Sequence, residues 1–233
     1  TKSLVTDQIF CTDRSATTSS SGTPGEISGS MSTSTTYYYG AYVRLVTNKS
    51  PKLTCTTASD KFTVNTSNGN GALTYPVGLI TADEVAMAGG VVRTRNSSYY
   101  LYTNQYFWAG SPYYFSINDA RAIEFAVNSS GYLYNMYVNL TNGVRPVISL
   151  SSKAKLSGSG TYDDVYTVVT NDSTEDTSSG KSFETAFVAN NTDTFNENGI
   201  RYEGADPNNY ICLDNKTGGA CSDSSLLFRI IGL

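Results

Sequence analysis

Short runs of aromatic and β-branched residues, separated by turn sequences, occupy residues 98–150 and constrain the fold more than any other feature. Residues 122–127 alternate apolar and polar side chains, which is the period of a β-strand with one buried face. Residues 128–131 (NSSG) supply a turn, and residues 132–138 return as a partner strand. The pattern therefore predicts a β-hairpin within a strand-dominated fold.

Two further segments predict regular structure on either side of a turn-rich region. Residues 37–46 (YYYGAYVRLV) are aromatic and β-branched and predict another strand. Residues 77–90 carry the clearest helix signal, because Thr81 can cap the N-terminus and Glu84 completes a capping box. A helix of about two turns needs packing to persist. Together these elements predict an α+β fold in which strands dominate.

Histidine is absent from the 233 residues, and charged residues make up only 15% of them. Without imidazole the chain has no Ser-His-Asp triad, no Cys-His dyad and no histidine-ligated metal. The net charge is -4 with scattered Lys and Arg, which is not the electrostatic footprint of a nucleic-acid-binding protein. No apolar run approaches the roughly 18 residues of a membrane span. We therefore expect no nucleic-acid partner and no membrane span.

Four cysteines allow three pairings: Cys11, Cys55, Cys212 and Cys221. Cys212 and Cys221 bracket a loop between two predicted strands, so a bridge between them would be local. Cys11 and Cys55 would then close a longer loop rich in Ser and Thr. Four buried free thiols and a zinc site are the alternatives, although structural zinc sites use closer ligand spacing. The Ser/Thr/Asn/Gly-rich stretches, almost free of Lys, agree with an extracellular setting.

Four segments in fixed order carry a resemblance to a known family. They are GLITADEVAMAGG (78–90), YLYTNQYFWAGSP (100–112), AIEFAVNSSGYLYNMYVNLTNGVRPVISL (122–150) and SGSGTYDDVYTV (157–168). The set resembles a module that recurs in large surface proteins of Gram-positive bacteria. That module is similar to C-type-lectin-like domains of the branch that includes formylglycine-generating enzymes. The resemblance covers about residues 1–169 and implies a compact α+β domain with small twisted antiparallel sheets and long loops.

A second element resembles the same proteins but stands in an unexpected place. Residues 199–233 (GIRYEGADPNNYICLDNKTGGACSDSSLLFRIIGL) resemble the hairpin that normally opens such a module, and here they come last. We therefore expect residues 1–169 to form a lectin-like module without its opening strands. Residues 170–182 are polar and linker-like, and residues 183–233 would be the opening hairpin segment of the next module. The order is like that of a circular permutation, or of one repeat of a tandem array read out of phase.

This order predicts a non-enzymatic structural protein on the bacterial cell surface, as a subunit or repeat of an extracellular filament. Residues 183–233 would cross to the next copy and complete its sheet by strand addition. Such a head-to-tail contact does not close on itself and propagates as a fibre. The apolar run at residues 226–233 supports this expectation. The side chains expected in the assembly contact are Ile200, Tyr202, Tyr210, Ile211, Leu226, Phe228, Ile230 and Ile231.

Two other functions are open at this stage. The first is an adhesin module that binds a host or cell-surface glycan or protein through lectin-like loops, with Trp108, Tyr113, Tyr114 and Asp119 as candidate ligand-binding residues. For Trp108 a position in the core is the favoured interpretation, and ligand contact is the alternative. The second is an enzyme of the formylglycine-generating type, but the copper-binding thiols of those enzymes have no evident counterparts in this sequence. We expect no catalytic residues, no cofactor and no metal site.

One set of acidic and amide residues and one arginine can be considered as ligand-binding groups, and both fit structural roles better. Calcium needs six to eight oxygen ligands, and Asn118, Asp119, Asp163 and Asp164 match no known loop spacing. Arg145 lies among apolar neighbours, where an ion pair or hydrogen bonds to backbone carbonyls would satisfy its charge. Glu124 and Asp83 are the expected acidic partners in the ion-pair case.

Overall fold

The computed structural model describes residues 4–27, 30–32, 34–55, 57–169, 181–182, 193–196, 199–213 and 219–232. The chain divides into two compact units, a central unit (Asp7–Ile148) and a terminal unit (Thr1–Thr6 with Ser149–Leu233). Small sheets, most of them antiparallel, make up most of the regular structure, and the described helices are few and short. The expectation of a strand-dominated fold is therefore confirmed.

The strands are numbered in chain order. They are β1 (Val5–Thr6), β2 (Phe10–Cys11), β3 (Ala16–Thr17), β4 (Thr36–Tyr39), β5 (Lys61–Phe62), β6 (Gly78–Leu79), β7 (Phe107–Ser116), β8 (Arg121–Val127), β9 (Leu133–Tyr137), β10 (Pro146–Val147), β11 (Ser149–Leu150), β12 (Lys155–Ser157), β13 (Tyr166–Val169), β14 (Lys181–Ser182), β15 (Thr194–Asn196), β16 (Ile200–Tyr202), β17 (Tyr210–Cys212) and β18 (Leu227–Arg229). The α-helices are α1 (Gly40–Tyr42) and α2 (Ala82–Met87), with a π-helical turn at Val43–Asn48 and 3₁₀ turns at Ala58–Asp60 and Ser224–Leu226.

A five-stranded antiparallel sheet organises the central unit, with strand order β3-β4-β7-β8-β9. The predicted hairpin is confirmed, because β8 and β9 pair along their length and Asn128 holds the turn through its carbonyl and side-chain oxygens. Along β7 the odd-numbered side chains from Phe107 to Tyr113 are buried and the intervening ones are partly exposed. One face of β7 therefore carries the core, and the other is partly covered.

The pairing of β7 with β8 is irregular around Pro112. The register shifts between Trp108 and Pro112 and again between Pro112 and Tyr114. Proline has no backbone N–H to donate to the ladder, so a bulge is the usual way to accommodate it within a sheet. Pro146 obeys the same rule by standing at the first position of β10.

The helix predicted near residue 81 is confirmed as α2. The hydroxyl of Thr81 accepts from the backbone N–H of Glu84 at 3.1 Å, and the Glu84 carboxylate accepts from the Thr81 backbone N–H at 2.8 Å. Two of the N–H groups that a helix leaves unpaired at its N-terminus are satisfied in this way. Val85 on this helix is fully buried in the core.

The strand predicted over residues 37–46 is wrong beyond its first part. Strand β4 ends at Tyr39, and the chain turns into α1 and the π-helical segment. A steric restriction at Gly40 and the ion pairs of Arg44 explain the turn. A Cβ atom at Gly40 would overlap the carboxylate of Asp13, and the helical path brings Arg44 to two buried carboxylates. Local β-propensity gives way to these tertiary interactions.

Within the strand-rich region predicted over residues 98–150, residues 99–106 alternate aromatic and polar side chains but do not form a strand. These residues form turns, and the strand begins at Phe107. Tyr99, Tyr100 and Leu101 are consecutive and all buried, which a strand with one exposed face does not permit. The core therefore takes up this segment as irregular structure.

A second five-stranded sheet organises the terminal unit, with strand order β14-β12-β13-β17-β18. Strands β13 and β17 are parallel, with Tyr166 opposite Ile211 and Thr167 opposite Cys212, and the other pairs are antiparallel. Two small pairs, β1 with β11 and β15 with β16, complete the unit. The hairpin β17–β18 is thus joined to residues 155–169 of its own chain.

The predicted linker, residues 170–182, lies outside the described residues except for Lys181–Ser182, which forms β14 against β12. Of the predicted opening segment 183–233, residues 183–192, 197–198, 214–218 and 233 also lie outside them.

Candidate functional site

A cleft of about 220 Å³ in the central unit is the candidate ligand site, and we call it the tyrosine cleft. Its lining residues are Thr36, Tyr38, Tyr42, Arg93, Tyr113, Tyr114 and Asp119. Four of these seven residues are tyrosines, so the cleft combines aromatic faces with hydroxyl groups.

The sheet and the turn after it bring the four tyrosines together. Strands β4 and β7 pair with Tyr38 directly opposite Tyr114, and their ring centroids are 6.2 Å apart. The turn into α1 carries Tyr42 back to Tyr38, with centroids 4.7 Å apart, and to Tyr113, with centroids 4.8 Å apart in an edge-to-face arrangement. Such tilted and edge-to-face pairs are the preferred geometries of aromatic side chains. The cleft therefore depends on the change from strand β4 to helix α1 at Gly40, which brings Tyr42 next to the tyrosines of the sheet.

Charged groups stand at two positions of the tyrosine cleft. Arg93 donates from Nη2 to the hydroxyl of Tyr113 at 3.1 Å. Asp119 is exposed, and its carboxylate accepts from the hydroxyl of Ser116 at 3.4 Å. Burial raises the pKa of Tyr113 and Tyr42 above the ordinary value. Tyr113 and Tyr42 therefore keep their hydroxyl protons at neutral pH and can both donate and accept hydrogen bonds.

The structure brings three of the four predicted ligand-binding residues to this cleft. Tyr113 is buried, Tyr114 is half-buried, and Asp119 is exposed. Trp108 is not among the lining residues. It lies half-buried on β7 opposite Ala126, and its backbone N–H donates to the carbonyl of Gly143 at 2.9 Å. Sequence reasoning missed Tyr38, Tyr42 and Arg93, because their approach depends on the turn after β4.

A second cleft, of about 530 Å³, also belongs to the central unit, and we call it the apolar cleft. Its lining residues are Phe10, Cys11, Thr12, Arg14, Tyr39, Phe62, Leu73, Val77, Gly78, Leu79, Gly110, Pro112, Tyr114, Phe115, Ala122, Ile123, Glu124 and Val138. Glu124 is the one acidic residue in this lining. Tyr114 lines both clefts.

A buried cluster of charged side chains around Arg44 in the central unit has a structural role. Arg44 donates to both carboxylate oxygens of Asp83, at 2.8 and 2.7 Å, and also to the carboxylate of Asp13. All three side chains are largely shielded from solvent. Desolvation lowers the pKa of Arg44, but its hydrogen bonds to the two carboxylates outweigh this and hold the pKa above its ordinary value. The sequence places Asp83 in the first turn of the predicted helix and gives no sign of its buried partner Arg44.

A third buried carboxylate, Asp60, anchors two segments that are distant in sequence. It accepts from the backbone N–H of Ser15 at 3.2 Å and from the Ser15 hydroxyl at 2.9 Å. It also accepts from the hydroxyl of Thr57 at 3.1 Å and from Nε of Arg14 at 3.3 Å. The disulfide Cys11–Cys55 joins the same two segments. These contacts fix the N-terminal part of the central unit.

Arg145 satisfies its charge through a backbone carbonyl, as one of the two predicted alternatives states. It donates to the carbonyl of Leu101 at 2.6 Å and to the hydroxyl of Thr103, and its guanidinium lies 3.7 Å from the ring centroid of Phe107. Neither of the expected acidic partners, Glu124 and Asp83, forms an ion pair with Arg145 in the described part of the chain. Asp83 is bonded to Arg44 instead. We assign Arg145 a structural role.

The predicted assembly residues lie in or next to the strands of the terminal unit. Tyr202, Ile211 and Ile230 are buried within their own chain. Ile200, Tyr210, Leu226, Phe228 and Ile231 are half-buried. The guanidinium of Arg229 lies 3.6 Å from the ring centroid of Tyr210 on the neighbouring strand.

The candidate calcium residues belong to two different units of the chain. Asn118 and Asp119 are in the central unit, and Asp163 and Asp164 are in the terminal unit. Asp164 accepts from the backbone N–H of Ser159 at 3.0 Å, which holds a local turn, and from the backbone N–H of Gly219 at 3.2 Å, which joins that turn to a distant segment. Over the described part of the chain, no three His, Cys, Asp or Glu side chains are grouped as a metal site requires.

Two disulfides cross-link the structure, Cys11–Cys55 in the central unit and Cys212–Cys221 in the terminal unit. These are the pairs that the sequence spacing favoured. Disulfides persist in oxidising compartments, so the bridges are compatible with an extracellular or secreted location. Among the described residues, no helix is both long enough and apolar enough to cross a membrane.

Comparison of the chain with protein-family models, with curated proteins and with solved structures gave no match.

Proposed function

We propose that this chain is a non-enzymatic structural protein of a bacterial surface filament, with a C-type-lectin-like fold whose opening hairpin comes last. The hairpin β17–β18 is the donated element, and β13 of the next copy is the acceptor. One observation carries the proposal, namely the parallel pairing of β13 with β17. Parallel strands need a long crossover connection, so the two strands are distant in sequence and either copy can supply the partner.

The contacts between the hairpin and residues 155–169 are of a kind that a neighbouring copy can provide equally well. The N–H of Tyr210 donates to the carbonyl of Gly160 at 2.9 Å, and the N–H of Val165 donates to the carbonyl of Gly219 at 3.2 Å. Backbone hydrogen bonds of this type give affinity in strand addition, and the alternating side chains give specificity. Exchange of an identical element between copies keeps every such bond and changes only which chain supplies it.

The hairpin also has the internal support that a donated element needs. The disulfide Cys212–Cys221 closes it, and the β17–β18 ladder runs from Tyr210 opposite Arg229 to Cys212 opposite Leu227. Asn209, which is fully buried, donates from its amide to the carbonyl of Ile230 at 2.8 Å. A pre-formed hairpin loses less conformational freedom on docking than a disordered strand does.

A tag-exchange experiment tests this proposal. Two preparations of the full-length chain with different affinity tags are unfolded with the disulfides intact, mixed and refolded together. Strand donation predicts that capture of one tag recovers the other. The variant Asp164→Asn weakens the contact with Gly219 and lowers that recovery, whereas the neighbouring Asp163→Asn serves as a matched control. Recovery of only the captured tag, with a mass of one chain, contradicts the proposal.

A second function, adhesion through the tyrosine cleft, is favoured by a separate observation. Tyr113, Tyr114 and Asp119, the ligand-binding candidates of the sequence, line one cleft with Tyr38 and Tyr42. Aromatic faces next to hydroxyl and charged groups suit a sugar ring, which has apolar faces and polar edges. We propose a glycan as the ligand of this second function.

A glycan array probed with the full-length chain tests the second function. Tyr38→Ala removes one wall of the cleft and should abolish the signal of any bound glycan. Tyr75→Ala is the matched control, because Tyr75 is 68% exposed and does not line the cleft. An array without signal, or a signal that Tyr38→Ala leaves unchanged, rules out glycan binding at this cleft.

A further inference from the structure

The apolar cleft has the size and composition of a ligand-binding cleft. Its volume of about 530 Å³ falls within the ~300–1,000 Å³ that is usual for such sites. Most of its lining residues come from the central sheet (mainly β7 and β8) and from the short strands β2, β5 and β6. Five of them are aromatic: Phe10, Tyr39, Phe62, Tyr114 and Phe115.

Three large apolar side chains at this cleft are unusually exposed. Val77, Leu79 and Val138 are exposed by 43%, 37% and 54%. Scattered exposed apolar residues are normal on a protein surface, but a group of them around a concave apolar surface marks a site of interaction. The lining therefore offers apolar area to a ligand on more than one side.

Glu124 gives the cleft its chemical selectivity. Strand β8 places it opposite Pro112, at the bulge between β7 and β8, and on the same face as Ala122. Among the residues that the structure describes, its carboxylate has no hydrogen-bond or ion-pair partner, although its backbone lies within the β7–β8–β9 ladder. Desolvation by the apolar surroundings raises the pKa of its carboxyl group. A carboxylate in apolar surroundings costs free energy unless a cation or a hydrogen-bond donor compensates it.

The other charged residue of the lining does not compensate Glu124. Arg14 donates from Nε to Asp60 at 3.3 Å and from Nη2 to the carbonyl of Ser59 at 2.9 Å. Its guanidinium also lies 5.0 Å from the ring centroid of Phe62. The guanidinium of Arg14 is therefore bonded to the segment around Asp60 and does not neutralise Glu124. The carboxylate of Glu124 can bind a cation of a ligand.

We propose that the apolar cleft binds an extended peptide segment of a partner protein in which one lysine is flanked by apolar side chains. The lysine ammonium group lies against the carboxylate of Glu124, and the aromatic rings of the lining contact the flanking side chains and the lysine stem. Cations are attracted to aromatic faces as well as to carboxylates, so both features of the cleft favour the same ligand. This binding does not depend on strand donation.

A charge-exchange experiment between site and ligand tests the inference. The probes are two synthetic peptides, acetyl-Leu-Val-Lys-Val-Leu-amide and the same peptide with norleucine in place of lysine, titrated calorimetrically into the full-length chain. A hydrogen bond to a charged group predicts that the wild type prefers the lysine peptide by about tenfold. In Glu124→Gln this preference falls to within about twofold of equal affinity, whereas Glu26→Gln, an exposed acid outside the cleft, retains it.

Each other result overturns the inference. Equal affinity of the wild type for both peptides means that the cleft takes apolar chains without regard to charge. A lysine preference that survives in Glu124→Gln places the binding elsewhere. Absence of binding of either peptide means that the cleft is not a peptide site. Ala122→Trp fills the cleft next to Glu124 and must abolish binding of both peptides, with the far-ultraviolet circular dichroism spectrum confirming that each variant is folded.

Discussion

Arg44 contacts Asp83 through two parallel hydrogen bonds, which tie the turn after β4 to the first turn of α2. The same guanidinium also reaches Asp13, so three segments of the central unit meet at one buried cation. Tyr42, two residues before Arg44, forms part of the tyrosine cleft. The buried ion cluster therefore positions the candidate ligand site without being part of it.

Replacement of Arg44 by methionine leaves two buried carboxylates without their cation. Breaking a buried ion pair by removal of one partner costs about 3–5 kcal/mol, so Arg44→Met should lower the free energy of unfolding by an amount in that range. Urea denaturation of the full-length chain measures it. Arg95→Met removes an exposed arginine of the same unit and should change stability by less than about 0.5 kcal/mol. Equal effects of the two substitutions would contradict the structural role of Arg44.

The turn of the β8–β9 hairpin requires glycine at position 131. Gly131 has φ +80°, and a Cβ atom there would overlap the carbonyl oxygen of Asn96. Gly131→Ala should therefore destabilise the chain by about 1–3 kcal/mol. Gly25→Ala is the matched control, since a Cβ atom at Gly25 meets no atom within 4 Å and its φ is not in the left-handed region. Thermal unfolding of both variants should show a clear loss for position 131 only.

The two disulfides should contribute unequally to stability. Cys11–Cys55 spans 44 residues and Cys212–Cys221 spans 9. Because loop-closure entropy grows with loop length, the double variant Cys11→Ala with Cys55→Ala should lose about 4 kcal/mol and the double variant at Cys212 and Cys221 about 2.6 kcal/mol. Chemical denaturation of the two double variants gives both values. The reverse ranking would show that strain or residual structure, rather than loop length, decides the contribution.

Glu124 predicts a pH dependence of stability that is opposite to that of most carboxylates. Its pKa is raised above 4.5 in the folded chain by desolvation, so the folded state binds the proton more tightly than the unfolded state does. Ionisation therefore lowers the free energy of unfolding as the pH rises through the folded-state pKa. Glu124→Gln should be more stable than the wild type at pH 7, and the difference should vanish below pH 4.5.

Thermal melts between pH 3.5 and pH 8 test this, and Glu26→Gln controls for the change in net charge. The other titratable groups that line the cleft, Arg14, Tyr39 and Tyr114, are the same in all three proteins. A stabilisation by Glu124→Gln that is independent of pH would contradict the desolvation of this carboxyl group.

Local patterns in the sequence predict those elements whose determinants are local. The capping box at Thr81 and Glu84 and the turn at Asn128 each depend on residues within a few positions. The strand prediction at residues 37–46 fails because its determinants are distant in sequence. Gly40 packs closely against the Asp13 carboxylate, and Arg44 forms ion pairs with Asp13 and Asp83.

The residues of the candidate sites also divide into those that are close in sequence, which the sequence can predict, and those that only the fold brings together. Tyr113, Tyr114 and Asp119 are near one another in sequence and could be selected as a loop cluster. Tyr38, Tyr42 and Arg93 reach the tyrosine cleft only through the β4–β7 pairing and the turn after β4. Glu124 reads as the polar-face member of an alternating strand, and only the structure shows that its face of the sheet is an apolar cleft.

The parallel ladder of β13 and β17 is the contact on which the proposed assembly depends. Negative-stain electron microscopy combined with light-scattering mass measurement, on the full-length chain over a range of concentrations, tests it most directly. The account predicts filaments with a repeat of about one chain, or a series of oligomers whose masses rise in steps of one chain. A single species of one chain mass at every concentration would mean that β17 pairs only with β13 of its own chain, and would contradict strand donation.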